Sequence, residues 1–256
     1  MDVDAEHGHL VMSGPRFRIE VVPALSDNYV WLLRCEESGS TAVIDPGVDQ
    51  PVLDRLHDLG WTAGQILTTH WHPDHVAGNI AIKQASGCTI SGPAAEADRI
   101  PGLDQGLKEG DRVSVGQLEA MVWEVPGHTL GHIAFYFEKI GLLFIGDTLF
   151  AIGCGRLFEG TPEQMHGNMV RLRDLPDEVQ VYPAHEYTLS NVRFALAERP
   201  GDARLEERLA EVERVRAGNR PTLPTSIGLE RATNPFLMAP DVAEFARLRA
   251  AKDSFR

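Results

Sequence analysis

Thr68-Thr69-His70-Trp71-His72-Pro73-Asp74-His75 follows directly on the apolar run Gln65-Ile66-Leu67, and its reading decides the fold. Three imidazoles and one carboxylate fall within six residues. Imidazole nitrogen and carboxylate oxygen are the ligands that zinc and related divalent ions accept, and packing does not call for so dense a cluster. His70 and His72, two apart, point to the same side of an extended segment. Pro73 suits the first turn of a helix, because the N–H it lacks would have no intrahelical partner there. That turn brings Asp74 and His75 back toward the same place from another direction.

Upstream of this stretch, residues 1–16 are polar and aperiodic, a loose tail in which His7 and His9 read as terminal residues. Alternating and β-branched segments predict strands at 16–22, 28–33 and 41–44, the last ending in Asp45-Pro46-Gly47. Val52, Leu53, Leu56 and Leu59 predict a helix over 51–59 that Gly60 closes. The motif itself gives a strand at 65–69 and a helix at 74–85.

Downstream, a stretch rich in glycine and proline (86–110) leads to strands at 111–115, 118–125, 133–137 and 141–145. A helix near 162–174 and a strand at 179–182 follow. From Glu186 the pattern is helical: Leu189, Val192 and Leu196 mark one helix. Leu205, Leu209, Val212 and Val215 mark another, capped by Asp202 and ended by Gly218. A last helix begins near Pro240, with Val242, Phe245 and Leu248 as its buried stripe. Arg249, Lys252 and Arg256 fall on its other, exposed face. Strands joined by turns in some places and by helices in others predict an α/β (α+β) fold of two sheets with helices outside them.

One pattern recurs. An apolar strand runs out into a polar residue at Asp45, His70, His128, Asp147 and His185. Strand ends are rigid platforms, and the glycines and prolines beside them allow a loop to turn sharply toward an ion. One sheet edge carrying one site is the expectation. Its ligands are His70, His72, Asp74, His75, His128, Asp147 and His185, more than one tetrahedral ion needs and enough for two. Asp147, flanked by Gly146 and Thr148, is the natural carboxylate bridge. His132 is read as packing or supporting a ligand, Asp45 as a supporting or turn residue, and His57 and His166 as structural. Two cations sharing a water lower its pKa toward neutrality and create a nucleophile in place, which Asp74 orients in addition to ligating. Cys154 is then a small loop residue, since a second nucleophile is redundant.

Composition narrows the partners. The 256 residues carry 24 Lys and Arg against 37 Asp and Glu, a formal charge of −13, which argues against nucleic acid. Cys35, Cys88 and Cys154 are odd in number and far apart, reading as reduced thiols in a cytoplasmic protein. No signal peptide or membrane-length apolar run is seen, and no Gly-x-Ser-x-Gly elbow, P-loop or dinucleotide fingerprint.

The whole pattern resembles the metallo-β-lactamase superfamily, whose signature is His-x-His-x-Asp-His, and within it the glyoxalase II (hydroxyacylglutathione hydrolase) family. The resemblance runs over about residues 17–256. It rests on TTHWHPDH (68–75), PGHTLGH (126–132), FIGDTLF (144–150), GCGRLFEGT (153–161), HEYT (185–188), TNPF (233–236) and the basic last helix. It implies an αββα sandwich over 17–185 followed by a small all-helical substrate-binding domain over 186–256.

By motif, His70, His72 and His128 hold one divalent ion and Asp74, His75 and His185 the other, with Asp147 between them. Zinc, or iron or manganese, fills the sites, since His and Asp accept all three. The family's glutathione contacts fall on Arg156, Phe158, Tyr187, Arg249 and Lys252. Trp71 stands where histidine is usual, Ala77 where glycine is commoner, and Phe158 where some members have tyrosine. The implied reaction is hydrolysis of S-D-lactoylglutathione, an S-2-hydroxyacylglutathione, to glutathione and D-lactate. This is the second step of methylglyoxal detoxification, performed by a monomer with a small-molecule substrate and no membrane. The alternatives are a persulfide dioxygenase, which continues its Gly-Cys-Gly-Arg loop differently from Leu157-Phe158, and another thioesterase or lactonase of the same fold.

Overall fold

The computed structural model describes residues 15–255. Residues 1–14, with His7 and His9, and Arg256 at the end of the basic face lie outside the described residues. Arg16, placed in the tail by its sequence, is held: its N–H donates to Glu37 Oε1 at 2.9 Å.

One six-stranded sheet runs β1 (Phe17–Ala24), β2 (Asn28–Cys35), β3 (Thr41–Ile44), β4 (Gln65–Leu67), β5 (Thr89–Pro93), β6 (Gln105–Leu107). The first three strands are antiparallel neighbours, and β3 to β6 are parallel. The second six-stranded sheet takes the order β14 (Thr225–Ser226), β13 (Gln180–Pro183), β10 (Leu142–Gly146), β9 (Ile133–Phe137), β8 (Leu118–Glu124), β7 (Arg112–Val115). A short pair, β11 (Leu149–Phe150) and β12 (Gly153–Cys154), stands beside it.

Alternation along the strands assigns each residue to a layer. Tyr29, Trp31 and Leu33 of β2 pack between the sheets with Phe135, Phe137 and Phe144. Val30 and Leu32 point the other way, into a cluster with Val52 and Leu56 of α1 (Gln50–Leu59) and Ile82 of α3 (Asn79–Ser86). On the far side, Leu143, Ile145 and Val181 meet Met165, Met169 and Leu172 of α4 (Pro162–Arg173) and Phe245 and Leu248 of α8 (Val242–Ser254). Both faces of each sheet are therefore covered, which is why central strands read as unbroken apolar runs. Each such large side chain, fully buried, contributes roughly 1.5–3 kcal/mol. The result is an αββα sandwich.

Three local expectations are corrected. The helix over 74–85 is two, α2 (Pro73–Val76) and α3, broken at Ala77-Gly78. There the chain presses on the β3–α1 loop: Gly78 N donates to Pro46 O at 2.9 Å, and a Cβ at Gly78 would meet Val48 O at 2.6 Å. A tertiary contact has overridden local propensity. Residues 86–110 contain β5, β6 and a 3₁₀ turn over Ala94–Arg99, pieces too short and glycine-laden for periodicity to show. Beyond α5 (Thr188–Glu198) and α6 (Ala203–Ala217), the helical region also holds α7 (Ile227–Thr233), started by Leu229 N donating to Ser226 Oγ at 3.2 Å. Its Thr225–Ser226 supplies the edge strand β14.

Directions explain where a site can form. β8 and β10 are both antiparallel to β9, and β13 is parallel to β10, so the three run the same way. Their C-terminal ends, and those of β3 and β4, deliver Asp45, the 68–75 loop, His128, Asp147 and His185 to one place. The expected single sheet edge is thus the common end of two sheets.

Candidate metal centre

Hydrogen bonds behind the imidazoles fix which nitrogen each presents. Thr69 gives its backbone N–H and its hydroxyl to Asp45, both at 2.7 Å, so its oxygen is left to accept from His70 Nδ1 at 3.1 Å. His128 Nδ1 donates to Arg156 O at 2.8 Å, and His185 Nδ1 to Asp27 Oδ1 at 2.7 Å. In His70 and His128 the Nε2 lone pair is bare and turned inward, and His185 likewise turns its Nε2 inward. Asp45 carries this load from a left-handed backbone, φ 51°, which a short polar side chain tolerates.

The inward nitrogens form one half of the site. His70 Nε2 lies 3.0 Å and His128 Nε2 2.9 Å from His72 Nδ1. In the other half, His75 Nε2 is 3.4 Å from Asp74 Oδ2 and 3.5 Å from Asp147 Oδ1. His185 Nε2 stands 3.4 Å from Asp74 Oδ2 and from Asp147 Oδ2. Asp147 Oδ2 also reaches His128 Nε2 at 3.3 Å, so its carboxylate touches both halves. Asn28 Nδ2 donates to Asp74 Oδ2 at 3.0 Å and holds that side chain. Gly146, at φ 52°, lets the chain turn into Asp147; a Cβ there would strike Thr69 Oγ1 at 2.4 Å.

The two halves have opposite electrostatics, and both suit a divalent cation. Burial, then neighbouring imidazoles, hold His70 well below its usual range, and burial with His128 lowers His72 to about 4. These rings are neutral ligands at ordinary pH. His75 and His185 behave otherwise. Burial alone would lower them, but Asp147, with Asp45 and Asp74 around His75 and Asp74 and Asp27 around His185, lifts them to about 10 and about 11. Asp74 and Asp147 are pulled far below the carboxylate range: burial opposes this and the surrounding histidines outweigh it. Among the described residues, His75 Nε2 and Asp147 Oδ1 are buried without a hydrogen-bond partner. Such atoms are costly unless a cation takes them up. Three triads bring one ligand atom each within 4.8 Å of one another: His70-His72-His128, His70-His75-Asp147 and Asp74-His75-His185. This donor set suits divalent metal.

The other candidates fall as follows. His132 stacks on His70 at 4.6 Å, and its Nε2 accepts from Asp147 N at 3.1 Å, so it braces two cluster residues. His57 is exposed, and His166 bonds Ala239 O at 3.1 Å. Burial pushes the Cys154 thiol up to about 11, which removes it as a nucleophile near neutrality. A cavity of about 660 Å³ opens from the cluster, and Arg156, Phe158, Tyr187, Arg249 and Lys252 all line it. Tyr187 stacks flat on His185 at 4.8 Å, and Phe158 stands edge-on to His128 at 5.2 Å.

The exposed face expected for α8 is corrected. Arg249 is 8% exposed: Nη1 donates to Cys154 O at 2.8 Å and Nη2 to Asp253 Oδ1 at 2.9 Å. Lys252 is half-buried and bonds Ser190 Oγ at 2.8 Å. The helix turns these residues inward because the cavity, not solvent, lies beside that face.

Four supporting carboxylate and amide residues escaped the sequence reading. Asp27 ends the β1–β2 turn and Asn28 opens β2, and the polar tip between apolar strands was the available signal. Glu96 accepts from Trp71 N at 2.9 Å and Gly131 N at 3.0 Å, joining the two histidine loops. Glu159 accepts from Trp71 Nε1 at 3.2 Å and Leu130 N at 2.9 Å, and Arg99 lies over the Trp71 ring. Trp71, the departure within the motif, is thereby tied to the loop that carries Phe158.

Comparison with known proteins places this geometry. Residues 25–185 match the metallo-beta-lactamase superfamily, and residues 186–255 match the hydroxyacylglutathione hydrolase C-terminus. The hydroxyacylglutathione hydrolase of Methylococcus capsulatus is 49% identical over 249 residues, covering 92% of this chain and 97% of that one. The crystal structure of ETHE1 from Myxococcus xanthus superposes with a TM-score of 0.69 at 27% identity, over 92% of this chain and 90% of the other. TTHA1623, solved in a di-iron-bound form, gives a TM-score of 0.61 at 25% identity, over 86% and 99%. By sequence along its length and by the fold that carries the cluster, the chain belongs to the hydroxyacylglutathione hydrolase family of the metallo-β-lactamase superfamily.

Proposed function

We propose that the chain hydrolyses S-2-hydroxyacylglutathione thioesters, S-D-lactoylglutathione first among them, to glutathione and the free hydroxy acid. The observation that carries this reading is the junction: one cavity joins a seven-residue His/Asp cluster to a wall of Arg156, Arg249 and Lys252. Two ions per chain are proposed, zinc in preference to iron or manganese. His70, His72 and His128 hold one, Asp74, His75 and His185 the other, and Asp147 reaches both. Support comes from the two halves of the cluster and from TTHA1623, whose structure holds two irons.

When bound, divalent cations supply Lewis acidity and bring the pKa of water toward neutrality. The chain's own residues do the rest. Asp74, steadied by Asn28, presents a carboxylate oxygen that orients the attacking water and accepts a hydrogen bond from it. Tyr187 and Phe158 flank the cluster on opposite sides and bound the space for the acyl group. Arg156 and Lys252 take the anionic peptide of the thiol carrier. The leaving thiolate has a parent pKa of about 8.5, so no protonated side chain is needed at the sulfur. A catalytic unit over 17–185, a substrate-binding unit over 186–256, a monomer and a cytoplasmic setting complete the reading. Among the described residues, no helix is long and apolar enough to cross a membrane.

The test is an anaerobic assay of lactoylglutathione cleavage on purified protein, with metal analysis of the same sample. Thioester cleavage with two ions per chain is expected. Oxygen uptake with glutathione persulfide and no thioester cleavage would assign the dioxygenase reading instead.

A further inference from the structure

The basic wall of the cavity contains a carboxylate. Asp253, on the last turn of α8, accepts from Arg249 Nη2 at 2.9 Å and from Arg156 Nε at 3.2 Å through the same oxygen, Oδ1. The two arginines are not alike. Arg249 is packed away: its Nη1 is spent on Cys154 O, and its buried Nε has no partner among the described residues. Arg156 is the open one, with 56% of its side chain exposed. Among the described residues only its Nε is hydrogen-bonded, which leaves both Nη groups, the forked end of the guanidinium, without a hydrogen-bond partner on a residue that lines the cavity and lies over the Phe158 ring.

A long arginine side chain loses rotamer freedom when fixed. Tethering Nε in advance removes much of that cost from ligand binding and sets the plane of the fork, which matters because a carboxylate binds both Nη groups only when coplanar with them. The packed arginine explains why a carboxylate is stable in this position. Arg249 fixes Asp253, Asp253 fixes Arg156, and Arg156 lines the cavity.

We infer that Asp253 is a positioning residue which aims the Arg156 guanidinium at a carboxylate of the glutathione moiety. The inference rests on the function proposed above and adds a residue with the same charge as its ligand. A simple charge count gives the reverse expectation, since deleting a negative group from a pocket for an anion should tighten binding.

The experiment measures kcat and KM on lactoylglutathione, and in parallel the equilibrium binding of S-methylglutathione, for wild type, Asp253→Ala, Asp253→Asn, Arg156→Ala and the Asp253→Ala/Arg156→Ala double variant. Asp253→Ala should raise KM and the S-methylglutathione Kd about 10-fold, the size expected for one charge-assisted hydrogen bond, with kcat within about twofold. Asp253→Asn, which keeps an acceptor oxygen, should recover part of the loss. In the Arg156→Ala background, Asp253→Ala should add less than about twofold, because its partner is gone. Unchanged or lower KM and Kd, a fall in kcat alone, or additive losses in the double variant would overturn the role. A wild type that binds S-methylglutathione but cleaves no thioester would sink the proposed reaction while leaving the binding arm able to decide on Asp253.

Discussion

At the scale of single residues, the centre depends on what stands behind it. Asp27 holds His185 Nδ1 at 2.7 Å, turning its Nε2 inward and fixing the ring plane. Removing such a support costs about 10–100-fold in metal affinity. Asp27→Ala should therefore weaken metal binding, read by chelator titration, by about that factor, and an unchanged affinity would show that Tyr187 stacking alone orients the ring. Asp147 has no substitute, because its carboxylate touches both halves of the cluster. Asp147→Ala should lose more than the roughly 100-fold upper range of a supporting residue, in metal content and turnover together. A variant that keeps its full metal content would remove Asp147 from the centre. The seven cluster residues are legible in sequence because each follows a strand, and strand ends converge. Asp27, Glu96 and Glu159 are not, because their partners lie 158, 25 and 88 residues away, and even the polar turn that carries Asp27 does not say what it touches.

At the scale of elements, α8 shows how periodicity locates a face without saying what covers it. Spacing places Arg249 and Lys252 together, yet the cavity wall buries one and half-buries the other. Burial, then the charge of Arg249, lowers Lys252 to about 8. Below that pH the ammonium is charged and can hold a carboxylate; above it the charge is lost. The value of kcat/KM for the glutathione thioester, which reports the free enzyme, should then fall as pH rises through about 8. Lys252→Arg should abolish that limb, since a guanidinium stays charged throughout. Identical alkaline limbs in the two proteins would assign the titration elsewhere. Short elements are where the sequence reading stops: α7 has seven residues and β14 two, below the length at which a period can be counted.

At the scale of the molecule, one buried carboxylate stitches distant parts together. Glu230, on α7, accepts from Ile152 N at 2.7 Å, Thr225 Oγ1 at 2.6 Å and Asn234 Nδ2 at 2.8 Å. Ile152 sits at φ 58°, a conformation a β-branched residue avoids, in the β11–β12 turn beside the cavity. Glu230 thus clamps a strained turn from another part of the chain. Glu230→Ala leaves at least one buried donor unpaired, a cost of about 1–3 kcal/mol. The melting temperature should fall by roughly 2–4 °C for each kcal/mol, and Glu230→Gln, which retains an acceptor for Ile152, should fall less. Calorimetry decides, and equal stability of Glu230→Ala and wild type would mean the turn relaxes freely. The sandwich itself is legible because covered sheets demand continuous apolar strands. The stitch is not, because it links residues 78 apart.

The two-residue strand β14 has a consequence for how the chain could be divided. It pairs with β13, whose end leads into His185, and Ile227, Phe236, Phe245 and Leu248 roof the same sheet. A fragment stopping at His185 would lose that roof and leave β13 as a bare edge, with Val179, Val181 and Ile145 facing water. Naked apolar edges recruit one another. Such a fragment, expressed alone, should aggregate and fail to retain metal, although it carries all seven His and Asp residues of the cluster; a monodisperse, metal-loaded fragment would disprove this. Sedimentation and metal analysis of the fragment read both outcomes. What looks in sequence like an appended module is the cover of its neighbour's sheet, so shuffling it between scaffolds would trade away solubility along with substrate binding.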